Sequence, residues 1–144
     1  MTRHTDKSPL QDRLKDVANP CAKLMQPNFV EHIENESITY DFPVMDIYLN
    51  PWKCMQGGFI SAAFDNAFGA LTILETGKFE ITSLDLNVSY HRPIFAEDTL
   101  TVKVYLKSKG KSIISLWGES FDSSKRLIAT ATSKIIILNK MAGK

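Results

Sequence analysis

The chain has 144 residues, the size of one domain that buries roughly 70% of its unfolded surface and needs no disulfide or metal staple. Its 17 basic and 16 acidic residues leave a formal charge of +1, so there is no bulk attraction to nucleic acid or to an anionic membrane, and small-molecule work fits better. Cys21 and Cys54 lack metal-ligand spacing, residues 1–7 lack the apolar core of a signal peptide, and no segment approaches a membrane span of about 20 apolar residues. The expectation is a cytoplasmic protein with reduced thiols, no metal and no membrane or nucleic-acid partner.

Residues 1–7 are expected to fray. Ser8-Pro9 then supplies an N-cap and a proline at the first helical position, predicting a short helix to about Val17. Asn19-Pro20 repeats that signal, and Leu24 and Met25 anchor a second turn or two before Pro27. Residues 1–28 thus form a helical preface, and residues 29–144 a single domain. From Phe29 the period changes to two, most clearly where Ile38, Tyr40 and Phe42 alternate with Thr39 and Asp41, which predicts a half-buried strand. Pro43 ends that strand or confines it to an edge. Val44 to Leu49 is a short second strand or an extended approach, Asn50-Pro51 marks a turn, and Trp52 to Met55 leads into the stretch that dominates the chain.

That stretch, Gln56 to Leu74, is one helix opened by Gly57-Gly58 and almost wholly apolar, which predicts a helix buried all round and wrapped by the rest of the chain. Its one carboxylate, Asp65, therefore requires pairing, hydration or a chemical role. At helical spacing Asp65 neighbours Ser61, Ala62, Phe68 and Gly69, a mostly small face, while Phe59, Ala63, Ala67, Leu71 and Leu74 supply bulk opposite. The small face either leaves room for a ligand or lets a sheet or second helix approach closely. Gly77 is placed for a left-handed cap.

Four strands follow. The first sets Leu84, Leu86, Val88 and Tyr90 on one face, with Ser83, Asp85, Asn87 and Ser89 on the other, and stops at Pro93. Thr99 to Lys107 turns Leu100, Val102, Val104 and Leu106 inward, and Lys109-Gly110-Lys111 is a hairpin turn. Ser112 to Phe121, a turn at Asp122 to Lys125, and Leu127 to Leu138 complete the set, with Ala129 and Ala131 small enough for a helix to lie close. The order predicts an α+β domain, an antiparallel sheet curled around one long central helix.

From Asn50 to Leu138 the chain resembles the hotdog-fold acyl-CoA thioesterases of the phenylacetate-pathway (PaaI-like) type. The resemblance is carried by Asn50, Gly57-Gly58, Asp65 eight residues on, Leu84 to Tyr90 closing in Arg92-Pro93, Asp98-Thr99-Leu100, and Ala129-Thr130-Ala131. It implies a helix enclosed by the sheet, two chains paired through their sheets, dimers commonly associating into tetramers, and an acyl-CoA substrate whose coenzyme A is part of the substrate rather than a cofactor. The chain departs from the pattern at Gln56, where much of the family has histidine. The glutamine amide still donates and accepts hydrogen bonds but cannot titrate near neutral pH, which excludes a proton relay there.

Thioester hydrolysis requires a polarised carbonyl, an attacking oxygen, and a base or nucleophile. Gly57 and Gly58 stand at the first turn of the helix, where N–H groups lack intrahelical partners and the dipole is positive, as an oxyanion requires. The same glycine pair would also serve as a tight loop-to-helix turn. Asp65 lies eight residues beyond Gly57, roughly 12 Å along the axis, so both can reach one carbonyl only if antiparallel helices of two subunits face each other. Asp65 is then general base or nucleophile. The resemblance places Asn50 near the reacting carbonyl, though the residue also suits a turn before Pro51. It places Ser83 near the carboxylate, though a strand serine is often only solvated. It places Tyr90, His91, Arg92 and Pro93, with Lys107, Ser108, Lys109, Gly110, Lys111 and Ser112, at strand ends that bind the coenzyme A nucleotide. An ordinary charged hairpin is the alternative. A non-catalytic acyl-CoA binder, with Gln56 marking lost chemistry, is the rival function. A hotdog hydratase ranks third, because no histidine lies in the helix.

Overall fold

A computed structural model describes residues 2–5 and 19–138. Along these the chain forms β1 (Arg3–His4), α1 (Pro20–Met25), β2 (Asn28–Ile33), β3 (Ser37–Pro43), α2 (Gly57–Thr76), β4 (Ile81–Tyr90), β5 (Thr99–Lys109), β6 (Ile113–Phe121) and β7 (Leu127–Ile137). The helix expected from Ser8 to Val17 lies outside the described residues. Of the residues expected to fray, Arg3 and His4 instead pair with Ile33 and His32 as a short outer strand.

Asn19 caps α1 as its position before Pro20 requires. Its Oδ1 accepts from the Ala22 amide at 3.1 Å, and Gln26 closes the helix in a left-handed conformation with φ 52°. Met25 is buried, and the Tyr48 hydroxyl donates to the Leu24 carbonyl, so the C-terminal end of this short helix is tied to the domain. The alternating segment from Phe29 is two strands joined by a turn through Asn35, not one. Pro43 does end β3, but β3 is interior, between β2 and β5. Where a second strand or extended approach was expected, the chain makes a 3-10 turn at Asp46–Tyr48.

The seven strands form one antiparallel sheet in the order β1-β2-β3-β5-β6-β7-β4. Across it lies α2, mainly over β5 and β3, which gives the sheet curled around a helix that the element order predicts. Leu100, Val102 and Val104 of β5 and Ala129 and Ala131 of β7 are buried, as their alternation requires. The close approach is made possible by Gly118 of β6: a Cβ there would stand 2.7 Å from Val104 Cγ1 and 3.2 Å from Phe64 Cε1. Where α2 ends, Gly77 adopts the expected left-handed cap with φ 70°, and Glu75, whose side chain is buried, binds His32 Nε2 at 2.9 Å and the Asn35 amide at 2.8 Å.

Two expectations about α2 are corrected. The helix is buried on one side only, through Ile60, Ala63, Phe64, Ala67, Phe68 and Leu71, because one sheet has one face to offer; Gly58 and Asp65 stay exposed. Its 20 residues are also long and apolar enough by composition to cross a membrane, contrary to the expectation that no segment comes near; here they lie against the sheet. In β4, a bulge between Ser83 and Asp85 interrupts the predicted alternation. Asp85 Oδ1 takes the Lys134 amide at 2.8 Å, leaving Leu84 exposed, and Ser83 joins the face that Leu86 and Val88 turn to the core.

Candidate active site

That bulge creates the first contact of the site. Ser83 Oγ donates to Asp65 Oδ1 at 2.9 Å, bridging β4 to the middle of α2. Asp65 is exposed to water, so the burial that would have made an unpaired charge costly does not arise within one chain. The surrounding helix face is open: Gly58 is exposed, Ser61, Ala62 and Gly69 are half-buried, and a Cβ added at Gly69 would meet nothing within 4 Å. Ser83 is thus held beside the carboxylate rather than merely solvated.

The second cluster is built at the N-terminus of α2. Gln56 occupies the cap position without a side-chain cap bond, and its carbonyl accepts from Phe59 at 2.9 Å and from Ile60 at 3.4 Å. The amides of Gly57 and Gly58 precede these and take no acceptor among the described residues, so two donors stand free where the helix dipole is positive. The Gln56 side chain folds over Gly58, its Oε1 at 2.7 Å from where a Cβ would stand. Gly57 abuts Tyr90, whose ring would lie 3.0 to 3.2 Å from an added Cβ. The Tyr90 hydroxyl donates to the Gly57 carbonyl at 2.9 Å and lies 2.7 Å from Ser61 Oγ. Ser61 entered the sequence reading only as a neighbour of Asp65. Its place one turn beyond Gly57 was the available signal, but the partner, Tyr90, is 29 residues away.

The remaining residues fall into three groups. Asn50 builds its own loop: Oδ1 accepts from the Trp52 amide at 3.0 Å and the Cys54 amide at 3.2 Å, while Nδ2 lies 3.3 Å from Cys54 Sγ. At the end of β4, His91 Nε2 meets Thr130 Oγ1 at 2.8 Å, and Arg92 and Pro93 are exposed. Ser108 and Lys109 at the end of β5, with Gly110 and Lys111 in the β5-β6 turn, stand at the opposite end of α2, where Lys109 Nζ lies 3.3 Å from the Glu75 carbonyl. A cleft of about 410 Å³ there is lined by Lys78, Lys109 and Lys111, with Thr76 and Ile137 at its wall.

One chain therefore brings Asp65 to Ser83, and Gly57 to Tyr90 and Ser61. It does not bring Asp65 to Gly57, which the helix rise keeps roughly 12 Å apart. Nor does it bring the lysine turn to Tyr90–Pro93, because the two lie at opposite ends of a helix about 30 Å long. Among the described residues no group of three or more His, Cys, Asp or Glu side chains is arranged to hold a metal ion.

Comparison with known proteins accords with this architecture. Residues 55–129 match the model of the thioesterase superfamily. No curated protein sequence matches the chain. Among solved structures, the E. coli PaaI protein of the phenylacetic acid degradation operon superposes with a TM-score of 0.81 at 19% identity, over 92% of this chain and 94% of its own. A phenylacetic acid degradation-related protein from Ralstonia eutropha gives 0.77 at 24% identity, over 91% and 100%. The Streptococcus mutans protein smu.793, solved bound to acetyl-CoA, gives 0.72 at 21% identity, over 79% and 90%. The antiparallel sheet with one long helix across it is the hotdog fold of these PaaI-like proteins, and the chain belongs to the thioesterase superfamily.

Proposed function

We propose that the protein hydrolyses an acyl-CoA thioester to the free acid and coenzyme A, at a site shared by two subunits. The observation that carries this reading is the exposed Asp65 carboxylate held by Ser83 on an uncovered helix face, roughly 12 Å along the helix from the Gly57 and Gly58 amides that take no acceptor among the described residues. If two α2 helices run antiparallel with Asp65 opposite the partner's Gly57, the two-fold axis passes at Ser61, midway between Gly57 and Asp65, and the two sites are equal. The partner's lysine turn then projects about 16 Å beyond Gly57 along the axis, a gap that an extended pantetheine arm can bridge. Lys109 and Lys111 would meet the nucleotide phosphates there, with Arg92 nearer the reacting carbon. That smu.793 was solved with acetyl-CoA supports the substrate class.

In this scheme the thioester oxygen docks against the helix N-terminus, where backbone donors stabilise negative charge as the carbonyl becomes tetrahedral. Asp65 either takes a proton from water, whose oxygen attacks the carbonyl carbon, or attacks that carbon itself to give a mixed anhydride that water then opens. In both routes the carbon–sulfur bond breaks and the departing thiolate is protonated. The proton is the one Asp65 took from water in the first route, and that of the water that opens the anhydride in the second. Dimers, or dimers of dimers, are the assembly the shared site requires.

The test is release of free coenzyme A from a panel of short, long and aromatic acyl-CoA thioesters, with Asp65→Asn beside the natural protein. Turnover lost in that near-isosteric variant is the expected result. No turnover by either protein, with saturable acyl-CoA binding by both, would replace the hydrolase with a non-catalytic binder.

A further inference from the structure

We propose that Tyr90, backed by Ser61, is a positioning residue that orients and polarises the Gly57–Gly58 peptide, making the Gly58 amide a second oxyanion donor beside that of Gly57. The inference rests on the reading of the α2 N-terminus as the oxyanion site. A hydroxyl carries one proton, and the geometry assigns that of Tyr90 to the Gly57 carbonyl at 2.9 Å. The 2.7 Å contact between Ser61 Oγ and the Tyr90 hydroxyl then takes its proton from Ser61. The result is a directed chain, from Ser61 through Tyr90 to the Gly57 carbonyl.

The Gly57 carbonyl and the Gly58 N–H are the two ends of one peptide group. A bond received at the oxygen draws electron density toward it and strengthens the N–H as a donor, and serial hydrogen bonds reinforce one another. The Gly58 amide has no acceptor among the described residues, which leaves the strengthened donor open to a bound carbonyl oxygen. The Tyr90 ring also sets the position of the peptide, because an added Cβ at Gly57 would touch it at 3.0 Å. Tyr90 is 52% exposed, and deleting its hydroxyl removes no core packing. Its hydroxyl is engaged within the chain, which separates this role from the coenzyme contact that the resemblance implies for the same residue.

The experiment compares Tyr90→Phe, Ser61→Ala and the double variant with the natural protein, through kcat and KM for coenzyme A release and through the amide-proton NMR shift of Gly58. Tyr90→Phe should lower kcat about tenfold, the factor set by one hydrogen bond, with KM little changed, and should move the Gly58 signal upfield. Ser61→Ala should give a smaller change in the same sense. The double variant should be no worse than Tyr90→Phe, because Ser61 acts through Tyr90. A raised KM with kcat and the Gly58 signal unchanged would make Tyr90 a substrate contact and overturn the proposal, as would fully additive losses in the double variant. If the natural protein releases coenzyme A from no thioester, the reading of the site fails. The Gly58 signal still decides the relay in that case: movement in Tyr90→Phe supports it, and no movement overturns it.

Discussion

The distance between sheet and helix is set at Gly118, and replacing it tests whether α2 is seated as described. In Gly118→Ala the new methyl would stand 2.7 Å from Val104 Cγ1, and 3.2 Å from both the Lys103 carbonyl oxygen and Phe64 Cε1. None of these can yield cheaply, since Val104 and Phe64 are both 0% exposed and the third atom is backbone. Overpacking of this kind costs about 1–3 kcal/mol, against roughly 0.5–1 kcal/mol regained by relieving glycine's conformational freedom. We expect a net loss of about 1–2 kcal/mol, or roughly 3–8 °C in Tm for a chain of this size. Urea unfolding followed by the fluorescence of the neighbouring Trp117 would measure it. Val104→Ala removes the struck methyls at a cost of about 2–3 kcal/mol by itself. Combined with Gly118→Ala it should recover about 1 kcal/mol or more relative to the sum of the single losses. A Gly118→Ala protein as stable as the natural one, or strictly additive losses, would refute the close helix–sheet contact.

Two further outcomes follow from single contacts. Ser83→Ala deletes the hydroxyl donor to Asp65 at an exposed position, so kcat/KM should fall roughly fivefold to tenfold while stability changes by less than about 0.5 kcal/mol; an unchanged kcat/KM would make that bond incidental. Asp122 concerns stability and pH. Burial alone would push its carboxyl up, but the amide, guanidinium bond and charge of Arg126, with the Ser124 amide, outweigh it and hold the group below the ordinary carboxylate range. A lowered folded value contributes stability that is present above the unfolded value and lost as pH falls through the folded one. The stability gap between the natural protein and Asp122→Asn should therefore be constant from pH 7 to about 5 and shrink below about pH 4; a gap that widens in acid would contradict the assignment.

Periodicity made most of the fold legible. The alternation of Leu100, Val102 and Val104, the turns at Gly110 and Asp122, and the apolar run closed by Gly77 are local signals, and each element stands within a few residues of its predicted place. What escaped depends on partners distant in sequence. The β4 bulge is held by Asp85 binding the Lys134 amide 49 residues away, so no local pattern announced that Ser83 would turn toward Asp65. The interior position of β3 follows from its pairing with β5, which a strand's own residues do not specify. Composition also told how apolar α2 is, but not that one sheet would leave the Asp65 side uncovered. In the site itself, Asp65 and Gly57-Gly58 stood out because a lone carboxylate and paired glycines are anomalies in an apolar helix. Tyr90 and Ser61 were anomalous nowhere in the sequence, and only the folded chain brings them together at Gly57.

The uncovered Asp65 face yields the sharpest test of the shared site, because the two halves of the chemistry can be disabled in different chains. Asp65→Asn removes the carboxylate, and Gly57→Val places a branched side chain where even a Cβ meets the Tyr90 ring at 3.0 Å, disturbing the amides at the helix N-terminus. Each variant alone should be inactive. When the two are unfolded together and reassembled, a mixed dimer with sites shared across the two-fold axis has one site in which both defects coincide and one in which neither occurs. Random assortment makes half of the dimers mixed, so activity should return to roughly a quarter of the natural level from two inactive proteins. If each chain instead held a complete site, every site in the mixture would carry one defect and no activity would return. Recovery near a quarter therefore requires Asp65 of one subunit to act with the partner's Gly57, as the roughly 12 Å separating them within one helix demands.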